Sequence, residues 1–142
     1  MLVMSVIEWA RKRTDGTVEY SIDGRVMHCE RAFISWLNQS CIEYLSTLSG
    51  RIDAVKNRFG IRRLTPIPVS RELLYLPIRS LRSRNCLLIN HLAIAGWKRE
   101  GDKRVEIIFG SRSTIKVDSW RIFVRQREKG AIIEAYLNDI LG

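Results

Sequence analysis

Asp15-Gly16 and Asp23-Gly24 bracket the short run TVEYSI (17–22), with the apolar run LVMSVIEW (2–9) before it and RVMHC after it. Asp-Gly suits the positive-φ positions of tight hairpin turns, whose twist matches that of antiparallel strands. Short β-branched runs separated by such pairs predict an antiparallel meander. This part of the chain is committed to a sheet.

The periodicity then changes. Ile34, Leu37, Cys41, Leu45 and Leu48 share a helical face, which predicts a helix over 31–39, while 40–46 (SCIEYLS) fits helix or strand. RIDAVKNRFG (51–60) predicts a clearer helix, with Ser49 as N-cap, Ile52, Val55 and Phe59 as its stripe and Gly60 just past its end. Pro66 and Pro68 keep TPIPVS extended, and LLYLPI continues as a strand that lies at an edge or ends at Pro77. Runs 86–97 and 104–109 flank the turn-forming KREGDK and predict a hairpin; SRST turns again, and IKV adds a strand. Asp118 or Ser119 caps a last helix, with Trp120, Phe123, Val124, Ile132, Ala135, Tyr136 and Ile140 inward and Gly130 as a kink. With 142 residues and no repeat or linker, the expectation is a single compact α+β domain. It is mainly antiparallel strands with a short mid-chain helix and a C-terminal helix.

Positive charge is concentrated. Of the net +9, residues 50–84 carry nine cations against Asp53 and Glu72, whereas residues 1–49 are nearly neutral. Eight of those nine cations are arginine, whose planar fork bonds phosphate oxygens bidentately and enters narrow minor grooves. A solvated basic face is the competing reading. So local an excess in a chain with pI near 10.0 favours a polyanion partner.

Catalytic motifs are missing: the sequence has no Gly-x-Ser-x-Gly, His-Glu-x-x-His, Walker loop or dinucleotide fingerprint. Asp102 and Glu106, with Lys103 and Lys116 near, lack a metal-nuclease order and read as solvated hairpin charges. Cys29, Cys41 and Cys86, with His28 and His91, contain no close ligand pair of the kind structural zinc sites use. The cysteines are expected to be buried thiols without metal, and no cofactor or small-molecule substrate is expected. No apolar run approaches the roughly 20 residues of a membrane span. The order of charge and apolar residues near the start is the reverse of a signal peptide's, so a cytoplasmic, nucleoid-associated protein is expected.

Two candidate contact segments remain. STLSGR (46–51) runs into a helix start, where Ser46, Thr47, Ser49 and Gly50 could cradle an anion and Arg51 could face it. Lys56, Arg62 and Arg63 extend that surface. RSLRSR (79–84) interleaves Arg79, Arg82 and Arg84 with Ser83, a composition suited to clamping a backbone or probing a minor groove. Trp9, Trp36, Trp97 and Trp120 could stack on single-stranded bases or serve the core.

Residues 40–125 resemble the ComK family of bacterial competence transcription factors. The resemblance rests on SCIEYLSTLSGRIDAVKNRFG, TPIPVS, LPIRSLRSRNCLLIN and SWRIFVRQ, which keep the family's order and comparable gaps. Leu45 stands where that pattern has glycine, and Leu88 where it has tryptophan. Longer members carry a C-terminal tail linked to regulated proteolysis, and that route is not expected here. The resemblance implies a regulator binding AT-rich double-stranded DNA through the minor groove, as a homodimer or higher oligomer, and activating DNA-uptake genes. A single-stranded DNA or RNA module, and a paralogue acting through protein contacts with DNA recognition lost, are the alternatives.

Overall fold

The computed structural model describes residues 6–141. Strands β1 (Ile7–Lys12), β2 (Val18–Ile22) and β3 (Arg25–Cys29) form the expected meander. The predicted run 2–9 is corrected: β1 continues through Arg11 and Lys12, and residues 1–5 lie outside the described part. Asp23 and Gly24 take φ 50° and 83°, so the second Asp-Gly pair forms the two-residue turn that requires positive φ at both positions.

Helices α1 (Phe33–Ile42) and α2 (Leu48–Phe59) come next. The open segment 40–46 thus divides into the end of α1 and a turn. Phe33, Leu37, Cys41 and Leu48 are buried, whereas Ile34 and Leu45 of the predicted face are exposed. Leu45 is 97% exposed with φ 62°, a left-handed conformation costing a leucine about 1–2 kcal/mol. Glycine adopts it freely, which accounts physically for glycine in the family pattern at this place.

Strands β4 (Ile67–Ser70) and β5 (Leu73–Pro77) pair, and β6 (Leu87–Asn90) lies between β5 and β1. The sheet order is β3-β2-β1-β6-β5-β4, so β5 is interior and does end at Pro77, while the edge belongs to β4 with Pro68. The predicted run 86–97 is also corrected. It breaks at a single 3-10 turn, His91–Ala93, and leaves as β7 (Ile94–Glu100) for a second sheet with β8 (Arg104–Phe109) and β9 (Thr114–Val117). The hairpin across KREGDK is β7–β8.

Asn90 makes this change of sheet possible. Its Oδ1 accepts the amides of Leu74 and Leu92 at 3.1 Å, and its Nδ2 donates to the carbonyls of Ile7 (2.7 Å) and Glu72 (2.8 Å). It is wholly buried with every donor and acceptor used.

The larger sheet is therefore covered on both faces. Ala10, Val18, Ile67, Val69, Tyr75 and Leu88 meet α1 and Leu48. Trp9, Leu76, Ile78 and Ile89 meet Val105, Ile107, Phe109 and Val117 of the second sheet, with Phe123 of α3 (Trp120–Leu141). This double burial explains why LLYLP (73–77) and LLI (87–89) are continuously apolar rather than alternating. Leu88, where the family pattern has tryptophan, is a core position.

Helix α3 starts at the expected cap, Ser119, whose Oγ accepts the Ile122 amide at 3.3 Å. Its buried stripe is Phe123, Gln126, Gly130 and Ile133; Ile132, Ala135 and Ile140, predicted inward, lie outside that stripe, with Ile132 and Ile140 both 58% exposed. Gly130 makes no break in the helix. A Cβ there would sit 2.7 Å from His91 Nδ1 and 3.0 Å from Leu76, so close approach selects glycine. Arg127 Nη1 donates to His91 Nδ1 at 2.8 Å, leaving Nε2 to donate to Glu134 at 3.1 Å. Burial, with the Arg127 charge, holds His91 below the usual imidazole range.

Glu8 ties both sheets to the β2–β3 turn, accepting from Ser21 Oγ (2.8 Å), Gly24 N (2.9 Å), Ser113 Oγ (2.9 Å) and Ser111 Oγ. Burial opposes its ionisation, but these donors outweigh it and hold the carboxyl below the usual range. Its stabilisation is therefore present above the ordinary glutamate range and lost as pH falls through the lowered native value. Urea melts of wild type and Glu8→Gln should show a stability gap near about pH 6 that narrows by about pH 3. Asn90→Ala, which orphans four buried backbone groups, is expected to cost about 3 kcal/mol or more in the same measurement.

Candidate nucleic-acid interface

The segment 78–86 leaves β5 and returns to β6 as two successive turns, with Ser83 N donating to Ser80 O (2.9 Å) and Cys86 N to Ser83 O (3.3 Å). Ser80 Oγ accepts the Arg82 amide at 3.2 Å, and Ser83 Oγ donates to Asn85 Oδ1 at 2.6 Å. The serines between the arginines thus hold the loop's shape. Two further contacts pin it to the sheet. Lys12 Nζ donates to Leu81 O at 2.7 Å, and Cys86 Sγ reaches Arg79 O at 3.6 Å. Burial pushes the Cys86 thiol up to about 11, with the Lys12 charge opposing, so it stays a thiol near neutrality.

A groove opens on one side of this loop. It is lined by Lys56 from α2, Arg62 and Arg63 from the following segment and Arg82 from the loop, with no carboxylate among its lining residues. Three stretches distant in sequence converge here, and all four cations are exposed. The tertiary structure also supplies their supports. Gln126, wholly within the core, donates through Nε2 to Leu64 O and Pro77 O, both at 2.8 Å. Lys129 Nζ donates to Arg63 O at 2.9 Å. Helix α3 thereby fixes the Arg62-Arg63 backbone against the end of β5. Gln126 and Lys129 escaped sequence reading because a polar residue on a helix stripe carries no sign of what it faces.

The α2 start is arranged differently from expectation. Thr47, rather than Ser49, is the N-cap, its Oγ1 accepting the Gly50 amide at 3.0 Å. Asn38 Oδ1 takes the Leu48 amide at 2.9 Å, so two of the first three helical amides are already satisfied within the chain. Arg51 is half-buried, donating through Nη2 to Tyr44 O at 3.2 Å, with its Nε buried and without a partner among the described residues. It braces the α1–α2 turn. Ser46 is half-buried, and Ser49 and Gly50 are exposed beside it; Arg84 is exposed on the 79–84 loop.

The tryptophans divide as their packing dictates. Trp9 is buried, Trp36 lies 5.3 Å from the Tyr20 ring, and Trp120 donates to Asp102 O at 2.8 Å beneath the Arg99 guanidinium. Trp97, 42% exposed, is braced edge-on by Phe123. Among the described residues no group of three or more His, Cys, Asp or Glu is placed to hold a metal, and no helix is long and apolar enough to cross a membrane.

Cations from several elements thus flank the arginine–serine loop, which its own turns, Lys12 and Cys86 hold in place. The chain belongs to the ComK family: that family's model, described as ComK protein, matches residues 1–141, essentially the whole sequence. The family is one of competence-type transcription factors rather than enzymes, and the chain is a regulator of that general type. No curated protein and no solved structure matches it.

Lys12→Met should loosen the 79–84 loop by removing its charged tether, a contact worth about 1.5 kcal/mol. The expected outcome is roughly tenfold faster amide exchange at Ser83 and Cys86, with core amides unchanged.

Proposed function

We propose that this protein binds AT-rich double-stranded DNA through the minor groove, as a homo-oligomer on paired half-sites, and activates DNA-uptake genes. The convergence of Lys56, Arg62, Arg63 and Arg82 in one groove beside the arginine–serine loop is the observation that carries the reading. Such a row suits a phosphate strand, and the neighbouring loop suits the groove floor, where A-tracts concentrate negative potential. Arg79, Arg82 and Arg84 are its leading groove contacts, with Ser83 shaping the loop. Arg51 takes second place, acting through the α1–α2 turn it braces beside Ser46, Thr47, Ser49 and Gly50.

Duplex is favoured over single strands by the tryptophans, since three of the four have rings buried or engaged within the fold. The protein-interaction alternative loses one of its two supports, because Leu88 lies in the core, away from any contact surface.

Binding to a duplex with spaced A-tract and T-tract half-sites is expected to exceed that to a GC-rich duplex at about 150 mM salt, and to be displaced by a minor-groove ligand. The log–log salt dependence should be steep, about −0.9 per phosphate contact, and Arg82→Ala should weaken binding by about 1–2 kcal/mol. Equal affinity for both duplexes would reject minor-groove AT recognition, and a flat salt response would reject phosphate contact altogether.

A further inference from the structure

A second basic groove lies on the opposite side of the 79–84 loop. Arg79 lines it, as Arg82 lines the first, with Arg11 and Lys12 from the end of β1, Arg13 just beyond it and Lys116 from β9. The nearly neutral charge of residues 1–49 concealed this site, since its cations come from chain regions far apart and meet only when the second sheet folds back on the first. Lys12 is committed to the loop carbonyl, which leaves four cations facing outward.

Three of the four are restrained by carboxylates, but not neutralised. Glu19, whose side chain is 17% exposed, holds Arg11 at 2.7 Å and Arg13 at 3.7 Å, while Lys116 lies 3.4 Å from Glu100. Arg11, Arg13 and Lys116 keep between 40% and 52% of their side-chain surface in solvent. Glu19 and Asp118 are the carboxylates in the groove lining, so cations prevail. A solubility surface would not need a cation row on each side of one pinned loop. A minor groove about 6 Å wide presents that pattern, a floor flanked by two phosphate strands.

We propose that this second groove, lined by Arg13, Arg79 and Lys116, seats the opposite phosphate strand of the duplex whose first strand runs along Lys56, Arg62 and Arg63. This rests on the duplex-binding reading and adds a strand assignment to it. Glu19 acts as the positioning residue, holding Arg11 and Arg13 extended along the groove wall.

The test is hydroxyl-radical footprinting on a duplex bearing one A/T half-site, with salt titrations in parallel. Arg13→Ala/Lys116→Ala should lose protection on one strand only, and the salt slope should fall by about 1.8, the value for two contacts. Arg62→Ala/Arg63→Ala should lose protection on the other strand. Circular dichroism melts check that each variant folds, and the single exchanges Arg13→Gln and Lys116→Gln replace a double variant that does not. If the first double variant keeps both footprints and the wild-type slope while Arg82→Ala still weakens binding, the second groove is overturned and duplex recognition stands. Loss of both strands together would also overturn the strand assignment. Wild-type protein protecting neither strand would remove duplex recognition itself, and this inference with it.

Discussion

The four hydrogen bonds of Asn90 are the contact on which the architecture turns. At that residue the chain stops pairing with β1 and β5 and departs for the second sheet. A strand that leaves a sheet abandons backbone groups in the core, where each unpaired group costs about 1–3 kcal/mol. One buried amide side chain satisfies the carbonyls of Ile7 and Glu72 and the amides of Leu74 and Leu92 together. The next residue, His91, is packed against Gly130 of α3, so the change of sheet and the docking of the last helix are set at adjacent positions.

For function, the consequence is placement. With the second sheet folded onto the first, β1 and β9 come together on one side of the 79–84 loop, and α2 with the segment before β4 on the other. Buried groups set this geometry, and exposed charges use it. Gln126 fixes the backbone behind Arg62 and Arg63, and Lys12 and Cys86 fix the backbone behind Arg79 and Leu81. Charges held on a pinned scaffold lose little conformational entropy when they meet a rigid polyanion, which favours specific over diffuse binding.

The meander, the end of β5 at Pro77, the β7–β8 hairpin and the Ser119 cap were legible because each depends on local chemistry: Asp-Gly turns, prolines, alternation, a hydroxyl before a stripe. The departures share a cause as well. CLLINHLAIAGW is apolar throughout, and nothing within it marks the point where partners change, because that point is defined by Asn90's contacts with strands far away in sequence. The inward face of α3 differs from its apolar periodicity by about one position for the same reason. Gln126 and Gly130 belong inside only because Leu64, Pro77 and His91 are there to receive them.

By itself the sequence determined the class of fold, the excess of arginine between residues 50 and 84, the lack of familiar catalytic motifs and the family to which the chain belongs. These are properties of composition, local propensity and ordered motifs, and they survive without knowledge of any long-range contact. Only the tertiary structure decided which cations share a groove, that Arg51 braces a turn, and that Arg79 and Arg82 diverge to opposite sides of one loop. The physical reason is that a charge's partners are set by distance in space, and contacts between residues far apart in sequence, such as those of Asn90, Gln126 and Lys12, fix those distances.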